Sequence, residues 1–334
     1  MTQRKIRIIT DLANLDGVEA DEYVAEARQI QGDESFGGGV KLFLDAFGYD
    51  LILLNSSTRR LLGLCAMMWL LPIYRWRLIS LDIHLLEPVG WKRRVVALIV
   101  RFLLRKINLH ILYFKDLRGY EKYYGVSPAI SRFVPFKVNS WEILPAREKL
   151  NSDGEYVFCG GRSLRDLKTF KEAMAKVPYP GLLLYQHDAS FMETYGTSVD
   201  LNELPSNIRA ECHDGNNDTW IDFIRRAKLI VIPALPNSIY APGLSLYLLA
   251  MALKKCVIIS EGPQTRGLLK DEAVIVPPSD PQALAEAIRR SWGDDDFRRT
   301  TADAGRRYAE SCAGESRMLQ DIVRICGELY QKIG

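Results

Sequence analysis

Residues 229–259 read LIVIPALPNSIYAPGLSLYLLAMALKKCVII. The apolar run 229–232 stops at Pro233, and a loop holding Tyr240, Pro242 and Gly243 follows. An apolar helix then runs over 244–253, and 257–259 reads as the next strand. Strand, glycine loop, helix and strand in that order make one βα unit of a parallel sheet. The helix start around Gly243, Leu244 and Ser245 offers free N–H groups, which suit an anion.

Outward from this unit the same rhythm repeats. Further strand-like runs fall at 6–9, 51–54, 78–83, 111–114, 156–159, 181–185 and 273–276. Helix-like segments fall at 42–47, 91–107, 168–175, 219–226 and 281–292. Residues 135–154, rich in proline and charge and ending Asn-Ser-Asp-Gly, break the rhythm and are read as a linker. The expected fold is therefore α/β, with two Rossmann-like doubly wound domains facing across a cleft. The expected domains are 1–140, 141–315 and a C-terminal helix, 316–334, that packs back on the first. Ligands of such sheets bind at the carboxyl ends of the strands.

Composition excludes several classes. The chain has 334 residues and a net charge of only +3, so any polyanion-binding surface must be local. Its six cysteines are scattered without a CxxC pair, which argues against a zinc site or a disulfide framework and for a reducing compartment. The N-terminus enters a strand-like run without the apolar region of a signal peptide. The apolar runs 61–73 and 95–104 fall short of the ~20 residues that span a bilayer.

The stretch 157–170, VFCGGRSLRDLKTF, carries the chemistry. A strand ends in Gly160 and Gly161, whose bare backbone lets a ligand approach closely. Arg162, Arg165 and Lys168 surround that point, and the helix after Leu167 is expected to add free N–H groups. This arrangement suits a diphosphate; a tight strand–helix turn with solvated cations is the plain alternative. There is no Gly-x-Gly-x-x-Gly and no Gly-Lys-Ser/Thr here, which disfavours a nicotinamide dehydrogenase or a Walker-type ATPase.

Ala250-Met251-Ala252, Val257-Ile258-Ile259 and the tail from Val274 to Ala309 resemble the group 1 glycosyltransferases, which have the two-domain GT-B architecture. Gly160-Gly161 through Arg165-Asp166 is similar to that family's diphosphate loop, and the resemblance covers roughly residues 75–315. It implies transfer of a sugar from a nucleoside diphosphate with retention of anomeric configuration. It also implies no cofactor and no divalent metal, because protein cations and helix dipoles hold the leaving group. The chain departs from the pattern in one respect. The family commonly has two glutamates eight residues apart, and the matching positions are Ala241 (or Tyr240) and Leu249.

Other candidates surround this core. Asp82 and His84 lie at the end of a strand-like run, where the resemblance implies a histidine close to the donor sugar. Tyr240, His187 and His213 are candidates for the sugar or nucleoside, whereas His110, inside an apolar run, reads as structural. Gly37, Gly38 and Gly39 resemble the family's early glycine turn on the acceptor side, or else form a loop. Segment 91–107, WKRRVVALIVRFLLRKI, has six cations and no acid. The expected helix sets Arg94, Arg101 and Arg105 on one side and Val95, Ala97, Leu98, Ile99 and Phe102 on the other. The expectation is an apolar face against the first domain and a basic face toward anionic headgroups.

Together these point to a glycosyltransferase acting on a glycan or lipid-linked acceptor in cell-surface polysaccharide or glycoconjugate synthesis. It would be cytoplasmic, peripheral to the inner face of the membrane, with no nucleic-acid partner. Two rivals stay open. One is a non-catalytic partner subunit, favoured by the missing glutamates; the other is a nucleotide-sugar epimerase, disfavoured by the basic helix.

Overall fold

The computed structural model describes residues 4–55, 58–74, 76–148, 154–186, 192–193, 196–198 and 200–332. They fall into two compact units, residues 1–135 with 316–334, and residues 136–315.

The first unit is built on a seven-stranded sheet in the order β2-β3-β1-β4-β5-β6-β7. The strands are β1 (Arg4–Thr10), β2 (Glu19–Ala20), β3 (Tyr23–Gln29), β4 (Leu51–Asn55), β5 (Arg77–Leu81), β6 (Leu109–Leu112) and β7 (Ser131–Phe133). Pairing is parallel except between β2 and β3. The central strands β4 and β5 read as apolar runs because both faces of a parallel sheet are covered. Helices α1 (Phe36–Asp45), α2 (Thr58–Leu70), α3 (Trp91–Leu104) and α4 (Arg118–Tyr124) connect the later strands.

Gly37, Gly38 and Gly39 form the first turn of α1, whose Ser35 cap accepts from the Gly38 N–H at 3.2 Å. A side chain on Gly39 would strike the Arg60 carbonyl, and one on Gly63 the Phe36 carbonyl. The glycines therefore let the backbones of α1 and α2 touch, and they are helical rather than loop.

The second unit holds a six-stranded sheet in the order β10-β9-β8-β11-β12-β13, parallel throughout. It opens with α5 (Leu144–Glu148). The first half then runs β8 (Val157–Gly160), α6 (Leu167–Met174), β9 (Gly181–Gln186) and β10 (Ile208–His213). The second half runs α7 (Asn217–Arg226), β11 (Leu229–Ile232), α8 (Leu244–Ala252), β12 (Cys256–Ser260) and β13 (Val274–Val276). Helices α9 (Pro281–Gly293) and α10 (Asp295–Cys312) follow, and α11 (Glu315–Gln331) carries the chain into the first unit.

Phe170, Met174, Leu229, Val231, Ile258 and Ile288 are among the side chains that fill the core between this sheet and its helices. Helix α8 is apolar at nearly every position because every residue but Ser245 is buried. Much of the stretch expected as linker is packed: Lys137 pairs with Glu315, the Val138 N–H donates to the Ala313 carbonyl at 2.8 Å, and Leu144 is fully buried.

Candidate active site

In the second sheet the chain runs outward from β8 through β9 to β10, then returns to place β11 on the other side of β8. The loops after β8 and β11 consequently leave in opposite directions and open a crevice between them. A cavity of about 350 Å³ lies there, lined by Gly161, Arg162, Ser163, Arg165, Gln186, His213, Gly215, Asn217, Trp220, Gly243, Ser245 and Leu246. The fold thus brings together the two stretches singled out in the sequence, 157–170 and 229–259.

Arg165 is the centre of this cavity. It is only 3% exposed, and burial pulls its pKa below the ordinary value. Its Nε donates to the Gly160 carbonyl at 3.0 Å and its Nη1 to the Ser163 carbonyl at 2.7 Å. Among the described residues no carboxylate pairs with it. The Nη2 lies between Gly161 and Gly243, 2.6 and 3.3 Å from where a β-carbon on each would stand. Both glycines have positive φ, +94° and +90°, so the backbone there demands glycine twice over. A buried charge without a counter-charge is unfavourable unless an anion completes it.

The loop that holds Arg165 is itself held. Segment 164–166 bridges to 233–235: Asp166 N–H donates to the Pro233 carbonyl at 2.9 Å and Leu235 N–H to the Leu164 carbonyl at 3.0 Å. The Thr197 hydroxyl accepts from the Arg165 N–H at 2.9 Å and donates to the Arg162 carbonyl at 2.6 Å. Leu164 takes φ +51°, a strained value for a branched side chain.

Two expectations about this loop are corrected. The start of α6 is not open to an anion, because Asp166 already caps it. Its carboxylate accepts from the Thr169 N–H at 3.1 Å and from the hydroxyls of Thr169 and Ser279, each at 2.8 Å. Lys168 turns away from the cavity: its side chain is 84% exposed, 3.9 Å from Glu172, and lines a neighbouring cavity of about 690 Å³ that shares only Arg165 with the first. The helix start that does face the cavity is that of α8. Gly243 caps it without a side-chain hydrogen bond, so the first N–H groups, near Leu244 and Ser245, keep their donor capacity.

His213 uses both ring nitrogens within its own loop. Nδ1 accepts from the Gly215 N–H at 3.2 Å, which leaves the proton on Nε2, and Nε2 donates to the Asn216 carbonyl at 3.2 Å. It shapes the cavity wall and stands edge-on to Trp220, centroids 5.4 Å apart; Trp220 in turn meets Phe158 at 5.7 Å. Gln186, Asn217 and Trp220 were not among the sequence candidates. The signal for Trp220 was its place in the first turns of the helix after β10. Tyr240 is buried and close enough to Arg165 to act on its charge, but it does not line the cavity. His187 lies outside the described residues.

In the first unit, Asp82 follows β5 with φ +48°, and its carboxylate is 3.1 Å from Nε2 of the half-exposed His84. This sheet also reverses its order, between β1 and β4. There Asp11 accepts from the Asn55 N–H at 2.6 Å and lies 3.4 Å from the buried Arg60. Sequence reading passed over Asp11, an isolated acid after an apolar run.

Helix α3 departs from expectation on its apolar side: at ~100° per residue its larger apolar side chains lie beside the arginines, and both sets face outward. Only Ala97 and Leu104 are buried, whereas Val95, Leu98, Ile99 and Phe102 are exposed beside Arg94, Arg101 and Arg105. Small Ala97 allows close approach to the unit, so the larger apolar side chains stay outside. Among the described residues no helix is long and apolar enough to cross a membrane, and no three His, Cys, Asp or Glu side chains gather to hold a metal.

No family model matches this chain, and no curated protein matches it in sequence. Solved structures do. HepE of Anabaena, in complex with UDP and glucose, superposes with a TM-score of 0.64 over 92% of this chain and 86% of its own, at 16% identity. Sucrose-phosphate synthase from Thermosynechococcus elongatus gives 0.63 over 98% and 89%, at 17% identity. A UDP-forming α,α-trehalose-phosphate synthase from Burkholderia xenovorans, in complex with glucose-6-phosphate, gives 0.64 over 86% and 76%, at 13% identity. These are GT-B glycosyltransferases, and the likeness shows the fold: two parallel-sheet, Rossmann-like α/β domains.

Proposed function

We propose that this chain is a glycosyltransferase that moves a sugar from a nucleoside-diphosphate donor to a glycan or lipid-linked acceptor, with retention, in cell-surface polysaccharide or glycoconjugate synthesis. The observation that carries this is Arg165, a buried guanidinium with no carboxylate partner among the described residues, aimed between two glycines at the open start of α8. A diphosphate is the anion that fits, and a structural neighbour was solved with UDP-glucose.

On this reading Arg165, Arg162 and the N–H groups from Gly243 to Ser245 hold the two phosphates. Gly160 and Gly161 let them approach the backbone. As the glycosidic bond breaks, charge grows on the leaving diphosphate, and these donors already point at it, so little reorganisation is needed. Catalysis is then electrostatic and positional, and activity is expected to persist in excess chelator. Trp220 and Asn217, with the wall built by His213, take the nucleoside, and Tyr240 stands behind Arg165. His84, oriented by Asp82, provides polar contact to the reacting sugar. Gly37 to Gly39 mark the acceptor side. Arg94, Arg101 and Arg105 meet an anionic membrane surface, which places the chain on its cytoplasmic face.

Calorimetric titration of the purified protein with UDP, GDP and ADP, followed by assay with the corresponding sugar nucleotides, tests the reading. Binding of at least one diphosphate and release of sugar from its nucleotide are expected. Failure of every diphosphate to bind overturns it. A non-catalytic binding subunit is the second reading, favoured because Tyr240, Ala241 and Leu249 are buried where the resemblance places glutamates. Nucleotide binding without hydrolysis or transfer selects it.

A further inference from the structure

Trp91, Val95, Leu98, Ile99 and Phe102 of α3 are all exposed, Leu98 at 63%. At ~100° per residue these five occupy one outward sector roughly 100° wide. Arg94, Arg101 and Arg105 run along one edge of it and Lys92 along the other. The sector continues onto the end of α2. Trp69 stacks on Phe102 with ring centroids 4.3 Å apart, and Leu70 and Ile73, 74% and 67% exposed, extend the surface. The Lys106 ammonium lies 4.1 Å over the Trp69 ring, its stem lying along apolar surface. A contiguous apolar surface rimmed by polar groups marks an interaction face.

The charge around this surface selects its occupant. Between Leu51 and Lys115 the only acids are Asp82 and Glu87, and Glu87 is engaged by the Tyr123 hydroxyl at 2.6 Å. A second copy docking through the same face would set one cationic rim against another, which is repulsive. An anionic bilayer offers the complement: acyl chains for the apolar centre, phosphates for the rim, and an interfacial zone that favours Trp and Lys.

We propose that this face inserts its apolar side chains into the interface of an anionic bilayer, so that burial of Leu98, Ile99 and Phe102, and not charge alone, holds the protein there. This deepens the membrane contact of the proposed function, which by itself requires only adsorption through arginines.

Flotation with vesicles of phosphatidylcholine and phosphatidylglycerol tests it, using acyl chains brominated to quench tryptophan at depth. The parent is expected to float, to show quenching that falls in Trp91→Phe, and to stay partly bound at high salt. Changing Leu98, Ile99 and Phe102 together to Ser removes exposed side chains, so the fold is kept. Affinity should then drop more than about tenfold. Binding without quenching, or full release by salt, means adsorption alone and overturns the proposal. So does parent-like binding by the triple variant, or a dimer that the triple variant abolishes. Nucleoside-diphosphate titration of the triple variant should match the parent, so failure of the donor site and failure of this face are told apart.

Discussion

The Nη2 of Arg165 stands 3.3 Å from the point where Gly243 would carry a β-carbon, across the same gap that Gly161 borders from the other strand. Two loops that follow different strands, β8 and β11, are therefore fitted to one guanidinium. Neither glycine needs its positive φ to close a hairpin; Gly161 turns just after β8 and Gly243 at the start of α8, both toward a buried cation. The consequence is a site whose charge, backbone conformation and helix start all depend on positions where a side chain is excluded.

Gly243→Ala is expected to strain the backbone and push the guanidinium aside at once. A non-glycine residue held at this φ costs on the order of 1–3 kcal/mol. Chemical denaturation should show a loss of that size, and titration should show weaker binding of nucleoside diphosphate. Unchanged affinity in the folded variant would mean that Arg165 does not contact the phosphates.

Arg165 and Lys168 should separate cleanly in a thermal-shift experiment. A ligand that binds the native state raises the apparent melting temperature, by an amount that grows with the logarithm of its concentration over Kd. Arg165→Met should lose most of the shift given by the diphosphate, since a charge-assisted hydrogen bond contributes roughly 1.5–3 kcal/mol. Lys168→Ala should keep it, because that side chain lies outside the cavity. Equal loss in both variants would place the diphosphate nearer α6 than α8.

Much of this architecture was legible in the residues. Strands β4 and β11 are apolar runs because they are covered on both faces, and both glycine loops announce themselves beside cations. Strands β3 and β10, YVAEARQ and IRAECH, were missed because each has half or more of its side chains only partly covered, so the apolar signal fades. The expected wheel of α3 sets its apolar residues opposite the arginines, whereas at ~100° per residue Leu98, Phe102 and Val95 lie beside them, and a wheel cannot say which side faces in. Packing chose Ala97 and Leu104, the side with the smaller demand for space. Likewise Asp166 reads as part of a phosphate motif, but the hydroxyls that turn it into a cap come from Thr169 and from Ser279, far along the chain.

His110 gives the first unit a defined response to acid. It is buried with Nδ1 2.7 Å from the Ser80 hydroxyl, and burial pulls its pKa down to about 4. Arg101, Arg105 and Tyr124 line the cavity it borders. In the unfolded chain the group titrates near 6.5, so the stabilisation is complete above that pH and lost as pH falls through about 4. Unfolding free energy should drop by about 2 kcal/mol between pH 7 and 5 from this residue. His110→Asn keeps a partner for Ser80 and should flatten that slope; an unaltered slope would show that other groups set it.

Lys255 should respond in the same direction but in the alkaline range. It is buried beside β12, and burial, reinforced by Arg225 and Arg298, pulls its pKa down to about 8. The ammonium is thus easier to deprotonate in the native chain than in the unfolded one, whose lysine titrates near 10.4. Stability associated with this group is fully present above the unfolded pKa and is lost as pH falls through about 8. At pH 7 the native state carries a buried, charged lysine next to two arginines. Replacing such a group with an apolar side chain of similar length is often stabilising by roughly 1–4 kcal/mol. Lys255→Met is therefore expected to raise the denaturation midpoint at pH 7, with the gain shrinking toward pH 10 as the parent's lysine loses its proton. Denaturant titrations of both proteins at the two pH values check it. A gain that does not change with pH would mean the benefit comes from packing, and a loss at pH 7 would mean the ammonium holds a partner that matters to the fold.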